Sequence, residues 1–362
     1  MPGVLLEICM NDILAKRLAK QTEQLKKYNA TGCLSTDLPA VGFIPTGLEV
    51  FDKEVLGVGG IPKGKFIEVY GKKSSGKSAL TYYMVGAALR QNPDSYAKWY
   101  DWEHCHTDAW AKSLGVPTDQ LLVVQPTYGE EMADMIQEDI AMGEDGPCTH
   151  VIDSLATIIP RSIAGVSLDD FSMKDNYALA TFLTRMCNKL DSGFFFPGED
   201  DKGKLPSGAK WYNLSTSGQS IICINHMKTS TKLVNGNPVV EEKSVGGDAM
   251  GFHGCVQLKV SRIGFEKSGD ITVAQKLKVI ADKNKVAPPK KSCELGLSFS
   301  GKMEQLGEID WLTIAKNKGL AVQKGAWISS PVLLPEGRIQ GANSFNAYIA
   351  AHPEVQAQIN AM

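Results

Sequence analysis

The sequence predicts an α/β fold: a mostly parallel, twisted sheet flanked by helices, with an N-terminal helix and a small C-terminal α/β domain. Three observations predict it. Short β-rich runs alternate with helical patterns from residue 65 onward. A glycine-rich turn joins the first such run to the first such helix. After Val245 the alternation stops and strand patterns follow one another without long helices. Composition fits a globular chain: 362 residues, 43% hydrophobic and 22% charged, which excludes long disorder, collagen and coiled coil. The 38 basic and 40 acidic side chains leave a net charge of −2, which excludes a histone-like basic nucleic-acid binder but not a local basic groove. No apolar run approaches the ~18 residues of a membrane span. The first residues lack a signal-peptide core. Eight cysteines without a CxxC pair fit a reducing, cytoplasmic setting.

The elements follow in order. Residues 1–40 read as an amphipathic helix and linker. Ile13, Leu14, Leu18 and Leu25 share one face, and the turn-rich TGCLSTDLPA follows. Such a helix packs either on its own core or on another body. Residues 41–300 form the core. Its strand candidates are FIEVY (66–70), YAKWYD (96–101), LLVV (121–124), HVID (150–153) and SIICIN (220–225). Helical stretches fall at about 77–91, 107–114, 129–141 and 174–190. VQLKVSRI, ITVAQKLKVIAD and CELGLSFS then extend the sheet in antiparallel fashion. Residues 301–362 carry helix signals at about 306–318 and 343–361 and form the small C-terminal domain. The polar, Gly/Pro-rich stretch 197–218 reads as an inserted loop.

Gly71-Lys72-Lys73-Ser74-Ser75-Gly76-Lys77-Ser78 fits GxxxxGK[ST], after a strand and before a helix. Backbone N–H groups of such a turn and of the helix N-terminus surround phosphate oxygens. The nucleotide cradle is therefore Gly71, Ser74, Ser75, Gly76, Lys77, Ser78 and Ala79, with ATP as the ligand. Lys77 meets the terminal phosphates and Ser78 ligates Mg²⁺. Asp153, closing the apolar run VID, is the second Mg²⁺ residue. Asp101 and Glu103 end the strand after the P-loop helix, and that strand end opens on the same crevice. On spacing alone Glu103 is either the base that activates water or a solvated loop carboxylate. His104-Cys105-His106 has no second ligand pair and reads as a loop rather than a metal site.

Several stretches in a fixed order then match a family. They include IPTGLEVFDKEVLGVGGIPKGKFIEVYGKKSSGKS (44–78), DWEHCHTDAWAKSLGV (101–116), VIDSLATIIP (151–160), INHMK (224–228), VGGDAM (245–250), SRIG (261–264) and DKNKVAPPKK (282–291). NGNP (235–238), GLAVQKGAWI (319–328) and AHPEV (351–355) continue the series. The chain resembles the bacterial RecA recombinases and their phage-encoded relatives over about residues 40–355. The resemblance implies a RecA-like ATPase core and a DNA-dependent ATPase. It implies a helical homo-oligomeric filament on single-stranded DNA, with homology search and strand exchange on double-stranded DNA. A ring ATPase acting as a helicase or replication accessory motor is the alternative.

Carried over by motif, Glu103 activates the attacking water and Trp110 stands where the family stacks a tyrosine on adenine. Lys283 and Lys285 match lysines that reach the neighbouring subunit's nucleotide; by spacing alone they are a solvated basic edge. His226 stands where the bacterial enzyme has a γ-phosphate-sensing glutamine, and the similar phage recombinases also have histidine there. The alternative reading is a histidine satisfied by the local backbone. Two DNA-contacting loops follow Asp153 and Asn225, at about 161–176 and 227–247. With their flanks they supply Met173, Lys174, Arg185, Lys228, Lys232, Gly246, Gly247 and Asp248 as DNA-binding residues. Asn235 replaces an aromatic of the bacterial second loop. The 197–218 insertion is foreign to the bacterial pattern, and no acidic tail precedes Met362.

Overall fold

Runs of Val, Ile, Leu and aromatic residues become the strands of one large sheet, because both faces of the central runs are buried; at the edge run Leu121–Val124, Leu122 is exposed. The computed structural model describes residues 41–170, 177–198, 204–234, 237–306, 310–334 and 336–361. Of the first forty residues it describes only 16, 17, 19–21, 23 and 24, all helical. Residues Met1–Val41 form one unit and Gly42–Met362 another.

In chain order the sheet contains β1 (Phe66–Gly71), β2 (Ala97–Asp101), β3 (Leu121–Val124), β4 (Thr149–Asp153), β5 (Ser220–Val234) and β6 (Asn237–Ser244). It continues with β7 (Val256–Ser268), β8 (Ile271–Asn284), β9 (Ser292–Ser298) and β10 (Met303–Leu306). The spatial order is β10-β9-β8-β7-β1-β5-β4-β2-β3, with β6 paired to the outer part of β5. From β7 to β3 all pairs are parallel; β8, β9 and β10 extend the sheet antiparallel. The antiparallel extension expected after Val245 begins one strand later: VQLKVSRI, in β7, pairs parallel with β1, and antiparallel pairing starts with β8.

Helices cover both faces: α1 (Lys77–Gln91), α2 (Asp108–Ser113), α3 (Gly129–Met142), α4 (Ala178–Ser192) and the single-turn α5 (Ala249–His253). Strand alternation divides the core between two layers. Ile67, Val69, Trp99, Val151 and Ile222 pack with Leu80, Met84, Val85 and Leu89 of α1. Phe66, Tyr100, Ile152 and Ile221 face the other way, onto Ile136 of α3 and Leu183 and Met186 of α4. Truncating one of these to alanine costs about 2–5 kcal/mol.

A third core belongs to the C-terminal segment. It gathers Trp311, Leu312 and Ala315 of α6 (Trp311–Asn317) with Phe345, Ile349 and Ile359. It lies beside a three-stranded sheet of β11 (Val322–Lys324), β12 (Trp327–Ser329) and β13 (Arg338–Gln340). The helix read over 343–361 is two, α7 (Ala342–Ala351) and α8 (Pro353–Ala361). Pro353 disfavours helical backbone at His352, whose φ and ψ are −123° and 85°.

Two segments read as loops contain strands among their described residues. The 197–218 stretch contains a short strand, Lys210–Tyr212, that pairs with Phe194–Phe196 just before it. The stretch 227–247 is largely a β-hairpin: Met227 pairs with Ser244, Lys228 with Lys243, and Val234 with Asn237. Its arms, Thr229–Val234 and Pro238–Val240, are rich in Thr and Val, which favour a pleated strand over a loop.

Candidate active site

Parallel pairing brings the carboxyl ends of four strands together. Gly71 of β1 lies beside His226 of β5, Ile224 of β5 beside Asp153 of β4, and Asp153 beside Asp101 of β2. The turn after Gly71 needs unusual backbone. Ser74 has φ 58° and Gly76 φ 89°, and a Cβ on Gly76 would sit 2.7 Å from Leu277 Cδ1. Only glycine meets both demands at position 76.

A cleft of about 770 Å³ opens over this turn. Ser74 to Ala79 line it, with Trp110 of α2 and with Glu103, Asp153 and His226 from the neighbouring strand ends. The P-loop, the acid at the end of VID, the acid after β2 and the histidine of INHMK thus share one space. Lys77 is buried and donates from Nζ to Lys72 O at 3.1 Å. Burial pushes its pKa down, and Glu103 and Asp153 oppose that shift.

Asp153 is buried and its carboxyl is pushed up to about 7, first by desolvation and then by the charge of Glu103, against a hydrogen bond with Ser78. Its Oδ1 has no hydrogen-bond partner. A buried carboxylate with a spare oxygen, a serine hydroxyl beside it and a phosphate cradle next door fit a hard, oxygen-seeking cation. Ser75 Oγ, also buried and unpartnered, adds a donor to the cradle.

Glu103 is held by His226, whose Nε2 lies 2.7 Å from Glu103 Oε1. Burial raises the Glu103 pKa, but hydrogen bonds with Ser154 and His226 and the charges of His226 and Lys77 outweigh it. The carboxyl therefore titrates below its ordinary range. Glu103 is a carboxylate at neutral pH, able to accept a proton.

Asp101 does not join this group. Its two oxygens accept from Cys105 N and His106 N, both at 3.1 Å, and so shape the turn that carries Glu103. His106 Nδ1 shares a hydrogen bond of 2.8 Å with Tyr82 OH, and His104 sits at φ 52°. Among the described residues no cluster of three or more histidine, cysteine or acidic side chains is placed to hold a metal.

Lys283 and Lys285 lie elsewhere. Gln257, opposite Lys283, is beside Glu68, toward the start of β1, and Lys285 N bonds Cys255 O. Both lysines are at the end of the sheet away from Gly71. Their Nζ atoms donate to carbonyls closing α5, Lys283 to Gly251 O at 2.5 Å and Lys285 to Phe252 O at 2.7 Å.

The residues expected at DNA divide. Met173, Lys174 and the side chain of Lys232 lie outside the described residues, as does Asn235. Lys228 is exposed on the hairpin, opposite Lys243. Arg185 lines a groove between α3 and α4. Gly246 and Gly247 have φ 93° and 76° and abut α4: a Cβ on Gly246 would lie 2.5 Å from Leu183 Cδ1. Asp248 follows them at the N-cap of α5.

Gln275 of β8 and Leu297 of β9 also line the cleft, as do Trp102 and Thr157. Sequence reading missed them. Gln275 and Leu297 arrive through the register of the antiparallel extension, and no local motif marks them.

The family model described as the RecA N-terminal domain matches residues 16–192 and 211–304. The stretch it passes over, 193–210, overlaps the inserted segment. A Protein RecA from Methylococcus capsulatus is 29% identical over 358 residues, 97% of this chain and 92% of that protein. A Protein RecA from Geobacter sulfurreducens is 32% identical over 323 residues, 89% of this chain and 85% of that protein. A Protein RecA 1 from Myxococcus xanthus is 32% identical over 315 residues, 87% of this chain and 82% of its own length. Among the described residues no helix is long and apolar enough to cross a membrane.

Proposed function

The chain belongs to the RecA family, and on that premise we propose that it is an ATP-dependent homologous recombinase that forms helical filaments on single-stranded DNA and exchanges strands. The observation that carries the reading is the meeting of the phosphate turn, Asp153, Glu103 and His226 at adjacent strand ends. Backbone N–H groups of 74–79 receive the phosphates of ATP, and Lys77 offsets their charge. Ser78 and Asp153 would hold Mg²⁺, which would offset phosphate charge when bound. Glu103, kept ionised, takes the proton of the attacking water. His226 fixes the carboxylate that does so. Trp110 forms an apolar wall for the base.

Residues 1–40 serve subunit contact, 41–300 form the catalytic core with its DNA-binding segments, and 301–362 form a small C-terminal domain. The separate core around Trp311 and Phe345 supports the last assignment. The hairpin of β5 and β6 faces DNA. Its exposed Lys228 offers a cation to a phosphate backbone. Lys283 and Lys285, remote from their own P-loop, reach a neighbour's. The ring-helicase reading is not favoured, because similarity to Protein RecA spans 97% of the chain.

Electron microscopy with ATP and single-stranded DNA tests the assignment, alongside hydrolysis and strand-exchange assays. Helical filaments with DNA-stimulated hydrolysis and exchanged strands are expected. Closed six-membered rings that unwind a duplex would reverse it.

A further inference from the structure

Glu68 is the third residue of β1 and is fully buried, between Ile67 and Val69 of the hydrophobic core. A carboxylate in such a place is costly unless its oxygens are well supplied with donors. The donors here are amides. Asn225 Nδ2 donates to Oε1 at 2.8 Å and Gln257 Nε2 to Oε2 at 2.6 Å. Ser244, the last residue of β6, adds its hydroxyl. Three strands and the end of the hairpin therefore meet at one side chain. Methionine would fill similar space without desolvating a charge, but it could not accept from these donors.

Asn225 is the shared member. The same Nδ2 donates to Val245 O at 2.8 Å, and Oδ1 accepts from His226 N at 2.8 Å. Val245 N returns a bond to His226 O at 3.0 Å. Both strands of the hairpin leave the sheet through this knot. On its other side His226 holds Glu103. Glu68 touches neither the cleft nor the exposed part of the hairpin, yet it anchors the residue joining them.

We infer that Glu68 is a positioning residue that locks the root of the β5–β6 hairpin to the strand of the phosphate turn, so that DNA on the hairpin is registered at Glu103 through Asn225 and His226. The inference rests on the recombinase reading, in which the hairpin meets DNA.

The test uses the full chain with Glu68→Met and Glu68→Gln, measuring ATP hydrolysis with and without single-stranded DNA. In Glu68→Met, KM for ATP and DNA-independent kcat should stay within about twofold. The stimulation by DNA should fall about tenfold, the scale of one lost coupling contact. Glu68→Gln keeps an acceptor for Asn225 and should retain most of the stimulation. Wild-type stimulation in folded Glu68→Met overturns the inference, and so does an equal loss in both variants. If circular dichroism shows Glu68→Met unfolded, Asn225→Ala in the Glu68→Gln background cuts the same link without stranding a charge. The same tenfold loss is expected there, and unchanged stimulation overturns the inference. A wild-type chain without DNA stimulation removes the recombinase reading itself, which separates the two failures.

Discussion

Replacing Lys283 and Lys285 together by alanine asks which subunit these lysines serve. The residue opposite Lys283 sits beside Glu68, and Glu68 lies three positions before Gly71. At ~3.3 Å per residue, Lys283 is about 10 Å down the sheet from the phosphate turn, and Lys285 is farther. An ammonium ~4 Å from a phosphate contributes about 4 kcal/mol at the dielectric of a protein surface. Beyond a Debye length of ~8 Å in physiological salt little of that remains. Each lysine is thus nearly inert toward its own nucleotide, and under the proposed reading it serves a neighbour's phosphates. The double variant should bind ATP normally, and DNA-stimulated hydrolysis should drop by about 10³-fold, the contribution of a cation supplied in trans. Mixing it with Lys77→Ala is the decisive assay. A complete site forms where an intact phosphate turn meets intact lysines. In a random one-to-one head-to-tail assembly that is about a quarter of interfaces. Activity should return to about a quarter of wild type, from two parents with almost none. A mixture that stays inactive while light scattering records co-assembly would refute the reasoning.

Three further outcomes are expected. Glu103→Gln should retain ATP binding in equilibrium dialysis while hydrolysis slows by about 10²-fold or more, as for a lost general base; near-normal turnover would place the base elsewhere. His150 is fully buried, and desolvation outweighs the Gln219 hydrogen bond to hold its pKa down at about 4. Its contribution to stability is complete above pH 6.5 and is lost as pH falls towards 4, by about 3 kcal/mol in all. Asp52 and Asp153, raised to about 6 and about 7, act in the opposite sense. The measurement is therefore Tm against pH for wild type and His150→Gln, and equal slopes between pH 6.5 and 4 would contradict it. Gly246→Ala combines positive φ with a clash on Leu183 and should cost about 1–3 kcal/mol in urea unfolding; an unchanged midpoint would show that α4 moves aside.

Where chemistry is local, the sequence is informative. Gly71 to Ser78 announce a phosphate cradle because spacing, glycine and lysine act within one turn. Asp153 and Glu103 were legible because parallel strands expose their carboxyl ends along one edge. Register is not local, so Gln275 and Leu297 could not be placed at the cleft. Asp101 shows the limit of alternation: it ends the strand that leads to Glu103, but the following turn captures its carboxylate. Glu68 is hidden for the opposite reason, as one acid in an apolar strand whose partners come from residues 225, 244 and 257. The hairpin was available and overlooked. Asn235-Gly236 between β-branched runs is a strong hairpin signal, but the charges and glycines of 227–247 read as a loop.

The form of that segment has a mechanical consequence. A floppy loop that meets DNA absorbs any displacement in its own dihedral angles. A ladder paired from Met227–Ser244 to Val234–Asn237 ties two strands together and passes a displacement along its length more than a loop does. Eight residues at ~3.4 Å each give the arm a length of about 27 Å. With its pivot at the root, a tilt of about 10° sweeps the far end through roughly 5 Å, while atoms near His226 shift by a fraction of an ångström. The protein therefore has a gearing ratio. Under the proposed reading, coarse movement of a DNA strand on this arm would become fine adjustment near Glu103, and a slight rearrangement around the nucleotide would become a displacement of several ångströms at the far end.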